Sequence, residues 1–183
     1  MKKYWLILFC VGFIGCEGPQ PRRPVKVKTG SFMKESAERS KKLLALEEKM
    51  IQDIIENDSL HSYQSSAAGS WFYYDEQVTA DTPMPLPDDL VTMSYNVVSL
   101  ANDTIYSMED IGVIKYKVDK QELFPGLRNS VKLLKEKETA TFYFPSSLAY
   151  GYHGDNNKIG TNVPIKSTIS IFKIEKQQDS IQN

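Results

Sequence analysis

Thiol and imidazole groups are scarce in this chain of 183 residues, which contains two cysteines and two histidines. Cys10 lies in an N-terminal segment that we expect to be removed, so the mature chain would keep only Cys16 and could form no internal disulfide. It would also lack a thiolate metal site, and His61 and His153 are too few for most zinc sites. The sequence contains no H-E-x-x-H or C-x-x-C motif. Metal chemistry and cysteine catalysis are therefore not expected.

The chain also has no large excess of positive or negative charge. The chain has 22 lysines and arginines against 23 aspartates and glutamates, a formal net charge of −1, which gives no indication of nucleic-acid binding. It has no G-x-S-x-G motif and no P-loop, so neither a serine-hydrolase elbow nor a nucleotide site is predicted. The hydrophobic content of 41% is enough for one folded domain with a core.

The N-terminal apolar run, "YWLILFCVGFIG" at residues 4–15, is shorter than the ~20 residues of a membrane-spanning helix. It follows a basic start, "MKK", as the hydrophobic region of a signal peptide does. Gly15 and Cys16 close the run in the pattern of a bacterial lipobox, whose cysteine is lipidated and becomes the mature N-terminus. We therefore expect residues 1–15 to be a lipoprotein signal peptide, and a protein that is anchored to a membrane of the cell envelope and faces the periplasm. An ordinary secretory signal with an incidental cysteine is the alternative.

Residues 16–30 follow as a segment rich in proline and basic residues, "EGPQPRRPVKVKTG" after the cysteine. The segment shows no apolar periodicity, which indicates an extended tether between the anchor and a folded domain. Its cations could touch anionic headgroups, but a solvated linker is the preferred interpretation.

Apolar residues recur at steps of three, four and seven between residues 31 and 58, which predicts an N-terminal helix. They are Leu43, Leu44, Leu46, Met50, Ile51, Ile54 and Ile55. Such a helix could bind a partner or form a dimer, or it could pack on its own domain. We expect the second for residues 43–55, and we expect the less apolar first half to be exposed to solvent.

Beyond residue 60 the apolar period changes to two, which predicts β-strands. The predicted strands cover residues 70–78, 90–100, 104–107, 112–118, 138–144 and 167–175. A short helix is predicted at residues 123–134, with Pro125 in its first turn. The sum is an α+β fold, an antiparallel twisted sheet wrapped on one short central helix, in a single domain of residues 60–176. A polar tail, residues 177–183, follows the domain.

Three ordered motifs in this domain resemble those of the FKBP-type peptidyl-prolyl cis-trans isomerases. The family opens its helix with Glu-Val-Ile-x-Gly-Trp, and this chain has "ELFPGL" from Glu122. The family stretch Pro-x-x-x-Ala-Tyr-Gly matches "PSSLAYG" from Pro145, and its Ile-Pro-Pro matches Val163-Pro164-Ile165. The lipobox and the helix before the domain further resemble the gliding-motility-associated FKBP-type lipoproteins of Bacteroidetes. The resemblance implies an FKBP-like fold.

The resemblance also implies a groove for a proline-containing ligand. Tyr150 matches the family tyrosine whose hydroxyl donates to a carbonyl of the ligand, at the lip of the groove. The other matched positions are Tyr95, Tyr106 and Ile114 in the walls, Leu123 and Phe124 with backbone facing the ligand, Leu127 as the floor, and Ile171 or Phe172 on the last strand.

The implied activity is cis–trans isomerisation of prolyl peptide bonds in polypeptide clients, here the folding of exported proteins. Rotation about an X–Pro bond meets a barrier of ~18–20 kcal/mol from amide resonance, and an apolar groove lowers it by removing water from the planar imide. No metal, cofactor or nucleophile is required. The groove departs from the family at Leu127, where Trp is usual, at Ser107, where Asp is common, and at Ile114, where Phe is frequent. An active isomerase and a binding or structural module of low catalytic rate are therefore both open.

Overall fold

The computed structural model describes residues 29–177 of the chain. The predicted signal peptide, Cys16 and most of the predicted tether lie outside the described residues, as does the tail from residue 178 onwards. Within residues 29–177, no helix combines the length and the apolar character that a membrane span requires.

The N-terminal helix, α1, runs over Thr29–Asn57 and begins two residues before its predicted start. A division between two compact units falls inside it after Ser36, so the described part of the first unit is the opening of the helix alone. From residue 37 to residue 42 the side chains are exposed, as we expected for this half of the helix.

The second half of α1 buries most but not all of the predicted apolar residues. Ile51 is buried, and Leu43, Leu44, Ile54 and Ile55 are half-buried. Glu47 and Ile51, one turn apart, are 3% and 0% exposed, whereas Leu46 and Met50 are 63% and 51% exposed. Each residue of a helix is rotated by about 100° from the one before it, so residues 46 and 50 share a row beside the buried one. The expectation that Leu46 and Met50 pack on the domain is therefore wrong. The apolar periodicity did not identify the buried row because one of its members, Glu47, is charged.

Over residues 29–177 the sheet has eight strands, and every pairing among them is antiparallel. Its main path follows the order β1-β2-β7-β8-β3-β6, and β4 pairs with β8 and β5 off this path. The strands are β1 Gln64–Ser65, β2 Trp71–Glu76, β3 Leu90–Tyr95, β4 Val97–Ser99, β5 Thr104–Tyr106, β6 Ile114–Lys117, β7 Thr139–Phe144 and β8 Ile165–Glu175. The two short helices are α2 Met108–Ile111 and α3 Pro125–Val131. The predicted antiparallel sheet with one short central helix and an N-terminal helix is confirmed.

Asn96 divides the predicted strand 90–100 into β3 and β4. Its main-chain oxygen accepts a hydrogen bond from Ser167 Oγ at 2.6 Å, and its side-chain Oδ1 accepts one from the Thr168 N–H at 2.7 Å. Both strands continue to pair with β8, so the break redirects the chain without releasing it from the sheet.

A bulge in β8 resolves the register of the last strand. Thr92 pairs with Lys173 and Met93 pairs with Ile171, so Phe172 is the extra residue between them. Ile171 is fully buried in the core, whereas Phe172 is 46% exposed. Of the two candidates, Ile171 is the one that the sheet turns inward.

Helix α3 lies against the inner side of β7, where Gly126 allows a close approach. A Cβ at Gly126 would stand 2.5 Å from Phe144 Cδ1 and 2.8 Å from the Leu148 carbonyl oxygen. The helix is shorter than predicted, because Phe124 has extended backbone angles (φ −61°, ψ 149°) and the helix starts only at Pro125. A residue that precedes proline is sterically disfavoured in the helical region. Phe124 thereby enters the site as extended backbone.

Candidate active site

The centre of the site is the ring of Phe124, on which aromatic rings from three other segments converge. The ring centroids lie 5.2 Å from Tyr150, 5.6 Å from Phe144 and 6.2 Å from Tyr95. The contacts with Tyr95 and Phe144 are edge-to-face, a geometry that aromatic quadrupoles favour. The end of β3, the start of α3 and the loop after β7 are thus joined at one point.

All the residues predicted to form the groove belong to one hydrophobic cluster or pack against it. Phe124, Leu127 and Ile171 are buried members, and Leu127 is 0% exposed. The partly buried ones pack against this cluster from its edge: Tyr95, Tyr106, Ile114, Leu123 and Tyr150. The structure therefore gathers these residues around the same core, with the tyrosines at the boundary between core and solvent.

Tyr95 and Tyr150 present neutral hydroxyl groups to this boundary. Burial raises the pKa of Tyr95 above its usual value. Burial also raises the pKa of Tyr150, and the neighbouring Tyr95, Asp155 and Tyr106 raise it further. Among the described residues no hydrogen bond holds the Tyr150 hydroxyl. Since a protonated phenol is a donor, Tyr150 can donate to the carbonyl group of a ligand.

The backbone on both sides of Tyr150 is tied to one residue, Ser146. A 3-10 turn at Ser146–Leu148 follows Pro145, and the Ser146 carbonyl accepts hydrogen bonds from the N–H of Ala149 at 3.0 Å and of Gly151 at 2.9 Å. Gly151 has φ +60°, in the region that glycine adopts without steric cost. The tyrosine therefore stands on a closed turn of defined shape.

Tyr106 is held by the loop that follows Tyr150. Its hydroxyl donates to Asp155 Oδ2 and accepts from Asn157 Nδ2 at 3.0 Å. Lys158 Nζ stands 4.8 Å from the Tyr106 ring centroid and donates to the Ile105 carbonyl at 3.1 Å. These contacts fasten the loop to β5.

Asp155 is a residue of the site that the sequence analysis missed. Its Oδ1 accepts the N–H of Asn157 at 2.9 Å and of Ile159 at 2.7 Å. Burial of Asp155 opposes ionisation, but hydrogen bonds from Tyr106, Ile159 and Asn157 outweigh that effect and lower the pKa of its carboxyl. The "DNN" run predicts a turn, and Asp at its start is suited to bind backbone N–H groups. Its partner Tyr106, 49 residues away, could not be found from the sequence.

Ser107, at the position where Asp is common in the family, has a structural task in this chain. It is the N-cap of α2: its Oγ accepts from the Asp110 N–H at 3.1 Å, and Asp110 Oδ2 accepts from the Ser107 N–H at 2.9 Å. The carboxylate that bonds to Tyr106 comes instead from Asp155, in the facing loop.

Within residues 29–177, no group of three or more His, Cys, Asp or Glu side chains is placed to hold a metal ion. His61 stacks on Tyr73 at 3.9 Å between ring centroids and bonds to Asp58 at 2.7 Å. His153 contacts Tyr152 edge-on in the exposed part of the loop.

Comparison with known proteins points to one family. The model of the FKBP-type peptidyl-prolyl cis-trans isomerase family matches residues 82–175. A probable FKBP-type peptidyl-prolyl cis-trans isomerase FkpA from Neisseria meningitidis serogroup B (strain ATCC BAA-335 / MC58) is 30% identical over 119 residues, 65% of this chain and 43% of that protein. This chain therefore spans less than half the length of that curated relative.

Two solved structures share the fold at 15% sequence identity and a TM-score of 0.59. One is a peptidyl-prolyl cis-trans isomerase from Pseudomonas syringae pv. tomato str. DC3000, where the match covers 75% of this chain and 96% of that one. The other is FkpA from Escherichia coli, where it covers 96% of this chain and 83% of that one. At this identity the likeness concerns the fold alone.

Proposed function

We propose that this chain, which belongs to the FKBP-type peptidyl-prolyl cis-trans isomerase family, catalyses the cis–trans isomerisation of X–Pro bonds in polypeptides. The observation that carries the proposal is the convergence of Tyr95, Phe124 and Tyr150 at the edge of the core, in the fold of this family. The site offers apolar surface and a phenolic donor on one side of a bound imide.

The rate acceleration follows from the difference in polarity between the planar and the twisted amide. The planar amide is the more charge-separated and the better hydrated state, so contact with Phe124 and with the half-buried rings of Tyr95 and Tyr150 removes water that stabilises it. The twisted amide is less polar, so it loses less hydration free energy when it leaves water. A hydrogen bond from Tyr150 to the neighbouring carbonyl can then favour the twisted geometry. Every step in this scheme uses binding and orientation, without proton transfer.

A second function, binding of proline-containing segments at a low catalytic rate, is favoured by two features of the groove. Leu127, at the position where the family usually has tryptophan, is 0% exposed and so adds no apolar surface that a ligand can reach. The hydroxyl of Tyr106 is engaged by Asp155 and by Asn157, so it is committed to the loop before any ligand arrives. Both features reduce the grip on proline while leaving the fold intact.

A rate assay separates these two functions. We would measure the isomerisation of a proline tetrapeptide by the mature chain with Cys16→Ser, which carries no lipid, together with its binding of a proline-mimicking macrolide. The uncatalysed isomerisation takes tens to hundreds of seconds. Saturable catalysis that is faster than this supports the isomerase. Macrolide binding without any rate increase would contradict it and leave the binding module.

The cellular setting that we propose is a lipoprotein of the bacterial cell envelope that assists the folding of exported proteins. The support is in the sequence: Gly15 and Cys16 close an apolar run, and a proline-rich segment precedes the helix. Lipidation of Cys16 would hold the domain at a membrane on the periplasmic side. Cys16→Ser should release the protein from membranes or leave it unprocessed, and Cys10→Ser should do neither. A serine variant at position 16 that stays in the membrane fraction at mature size contradicts the anchor.

The clients that we propose include proteins of a gliding-motility or secretion apparatus. This rests on the lipobox and helix that precede the isomerase domain in the resembling lipoproteins. Cells without the protein should contain less of the assembled apparatus. Unchanged assembly and unchanged motility would contradict this part of the proposal.

A further inference from the structure

Glu47 is a charged residue whose side chain is buried in the docked half of α1. It is 3% exposed, whereas its neighbours Leu46 and Lys49 are exposed. Among residues 29–177, no lysine, arginine or histidine forms an ion pair with it within 4.0 Å. A buried carboxylate is costly unless hydrogen bonds replace the water that it has lost.

Within the described part of the chain, the hydrogen bonds to the Glu47 carboxylate come from one residue, Ser146. Its Oε2 accepts the Ser146 N–H at 2.8 Å, and the Ser146 hydroxyl donates to Oε1 at 2.7 Å and to Oε2 at 2.9 Å. The two residues are separated by 99 positions in the chain. A fork of this kind fixes both the position and the orientation of the backbone that it binds.

Ser146 is also the residue that shapes the turn under Tyr150. Its carbonyl accepts the N–H groups of Ala149 and Gly151, directly before and after the tyrosine. Glu47 therefore binds the N–H and the hydroxyl of Ser146, and the carbonyl of Ser146 binds the residues on both sides of Tyr150. A cleft of about 180 Å³ beside the fork is lined by Leu43 and Leu44 of α1 and by Ser147 and Tyr152 of the loop. Apolar packing next to the fork is thus incomplete, and the carboxylate provides the directed contact.

We propose that Glu47 is a positioning residue for Tyr150, and that docking of the N-terminal helix sets the geometry of the active site through the Glu47–Ser146 fork. This inference rests on the proposed isomerase function. The fork holds the turn so that the Tyr150 hydroxyl is aimed into the groove before a ligand binds. Release of the fork leaves the sheet folded and lets the turn move.

The test compares Glu47→Ala with two other variants of the same helix. Glu47→Gln can still accept the Ser146 N–H and donate to its hydroxyl, so it tests rescue by a conservative change. Glu48→Ala removes the same charge from the next position and serves as the matched control. For each variant we would measure kcat and KM on a proline tetrapeptide, and amide hydrogen exchange by NMR.

Glu47→Ala should lower kcat/KM by about 2- to 10-fold, because the Tyr150 hydroxyl would no longer be directed at the ligand carbonyl and one hydrogen bond would be weakened or lost. The change should fall mainly on kcat. Exchange of the Ala149 and Gly151 amides should quicken by about tenfold or more, because their bonds depend on the position of Ser146. Glu47→Gln and Glu48→Ala should stay within about twofold of the unaltered protein in both measurements.

Three results would overturn the proposal. One is unchanged kinetics and unchanged Ala149 and Gly151 exchange in Glu47→Ala. Another is an equal effect of Glu48→Ala. The third is faster exchange in the β7–β8 ladder to the same extent as at Gly151, which would show a general loss of stability. If the unaltered protein has no isomerase activity, the proposed function fails by itself, and exchange at Ala149 and Gly151 still decides whether Glu47 positions the turn.

Discussion

Strand β7 and the loop after it, residues 145–164, are adjacent in the chain, and long-range polar contacts have a larger part in holding the loop than in holding the strand. The side chains of Phe142 and Phe144 are fully buried in β7, which lies between two paired strands. The loop buries Ala149 and Ile159 in the core, and polar groups from far away also fix it: Glu47 binds its start, and Tyr106 binds Asp155 in its middle. The hydrophobic effect is non-directional and stabilises β7 strongly, whereas hydrogen bonds contribute less free energy but fix direction.

This difference separates stability from function in the domain. Changes in the strand should lower the free energy of unfolding, and changes in the loop should alter ligand binding and rate while the sheet stays folded. Loops that carry functional side chains are commonly placed on a rigid scaffold in this way.

The largest effect on stability is expected from Phe144→Ala in β7. Phe144 is fully buried, stacks on Phe142 with ring centroids 5.9 Å apart and meets Phe124 edge-on. Its removal should lower the free energy of unfolding by ~3–5 kcal/mol, measured by denaturant titration. Phe172→Ala, the same change at the exposed bulge, should cost less than about 0.5 kcal/mol. Equal costs would contradict the assignment of stability to the strand interior.

A smaller loss is expected where the helix meets the strand. Gly126→Ala places a methyl group against the Phe144 ring and the Leu148 carbonyl, so α3 must move away from β7. The cost should be ~1–3 kcal/mol in the same titration. Gly160→Ala adds a methyl group whose nearest atom, on Val163, is 3.9 Å away, and should leave the midpoint nearly unchanged. A tolerated Gly126→Ala would show that the helix is not tightly seated.

Elements that are fixed by their own residues could be predicted from the sequence, and features that are fixed by distant residues could not. The alternating residues of β8 predict its strand because burial alternates from Ile165 to Ile171 with period two. The strand β7 was predicted from the same period, but in the structure its residues 140–144 are all buried. The break at Asn96 and the bulge at Phe172 were missed because the bonds that stabilise them come from β8 and β3. The strand β1, of two residues, carries too short a pattern to be detected.

The site was predictable to the extent that a family motif carries it. Tyr95, Phe124 and Tyr150 converge in the structure, and the sequence could propose this only by resemblance. Glu47 and Asp155 were not found at all. Nothing in the local sequence distinguishes Glu47 from Glu48, because the distinction is made by Ser146, far along the chain.

On the loop side, Tyr150→Phe should change the rate and leave stability intact. It removes one hydrogen bond to the ligand carbonyl, worth roughly 0.5–1.5 kcal/mol, so kcat/KM on a proline tetrapeptide should fall about 2- to 12-fold. The Phe124 contact remains, so the denaturant midpoint should not move. Tyr152→Phe, in an exposed position two residues on, should change neither quantity. An unchanged rate in Tyr150→Phe would remove the hydroxyl from the mechanism.

The smallest effect is expected from protonation of Asp155, which should loosen the loop without unfolding the sheet. Because its hydrogen bonds lower the pKa of Asp155 in the folded protein, the stability that they contribute is present above the ordinary value of 3.8 and is lost as the pH falls through the lowered value. An NMR titration from pH 5 downwards should therefore show the Tyr106 ring and the Asn157 and Ile159 amides shifting together with a midpoint below 3.8. Asp155→Asn should abolish that shared transition. A midpoint at or above 3.8, or a transition that survives the substitution, would show that the carboxylate does not hold the loop to Tyr106.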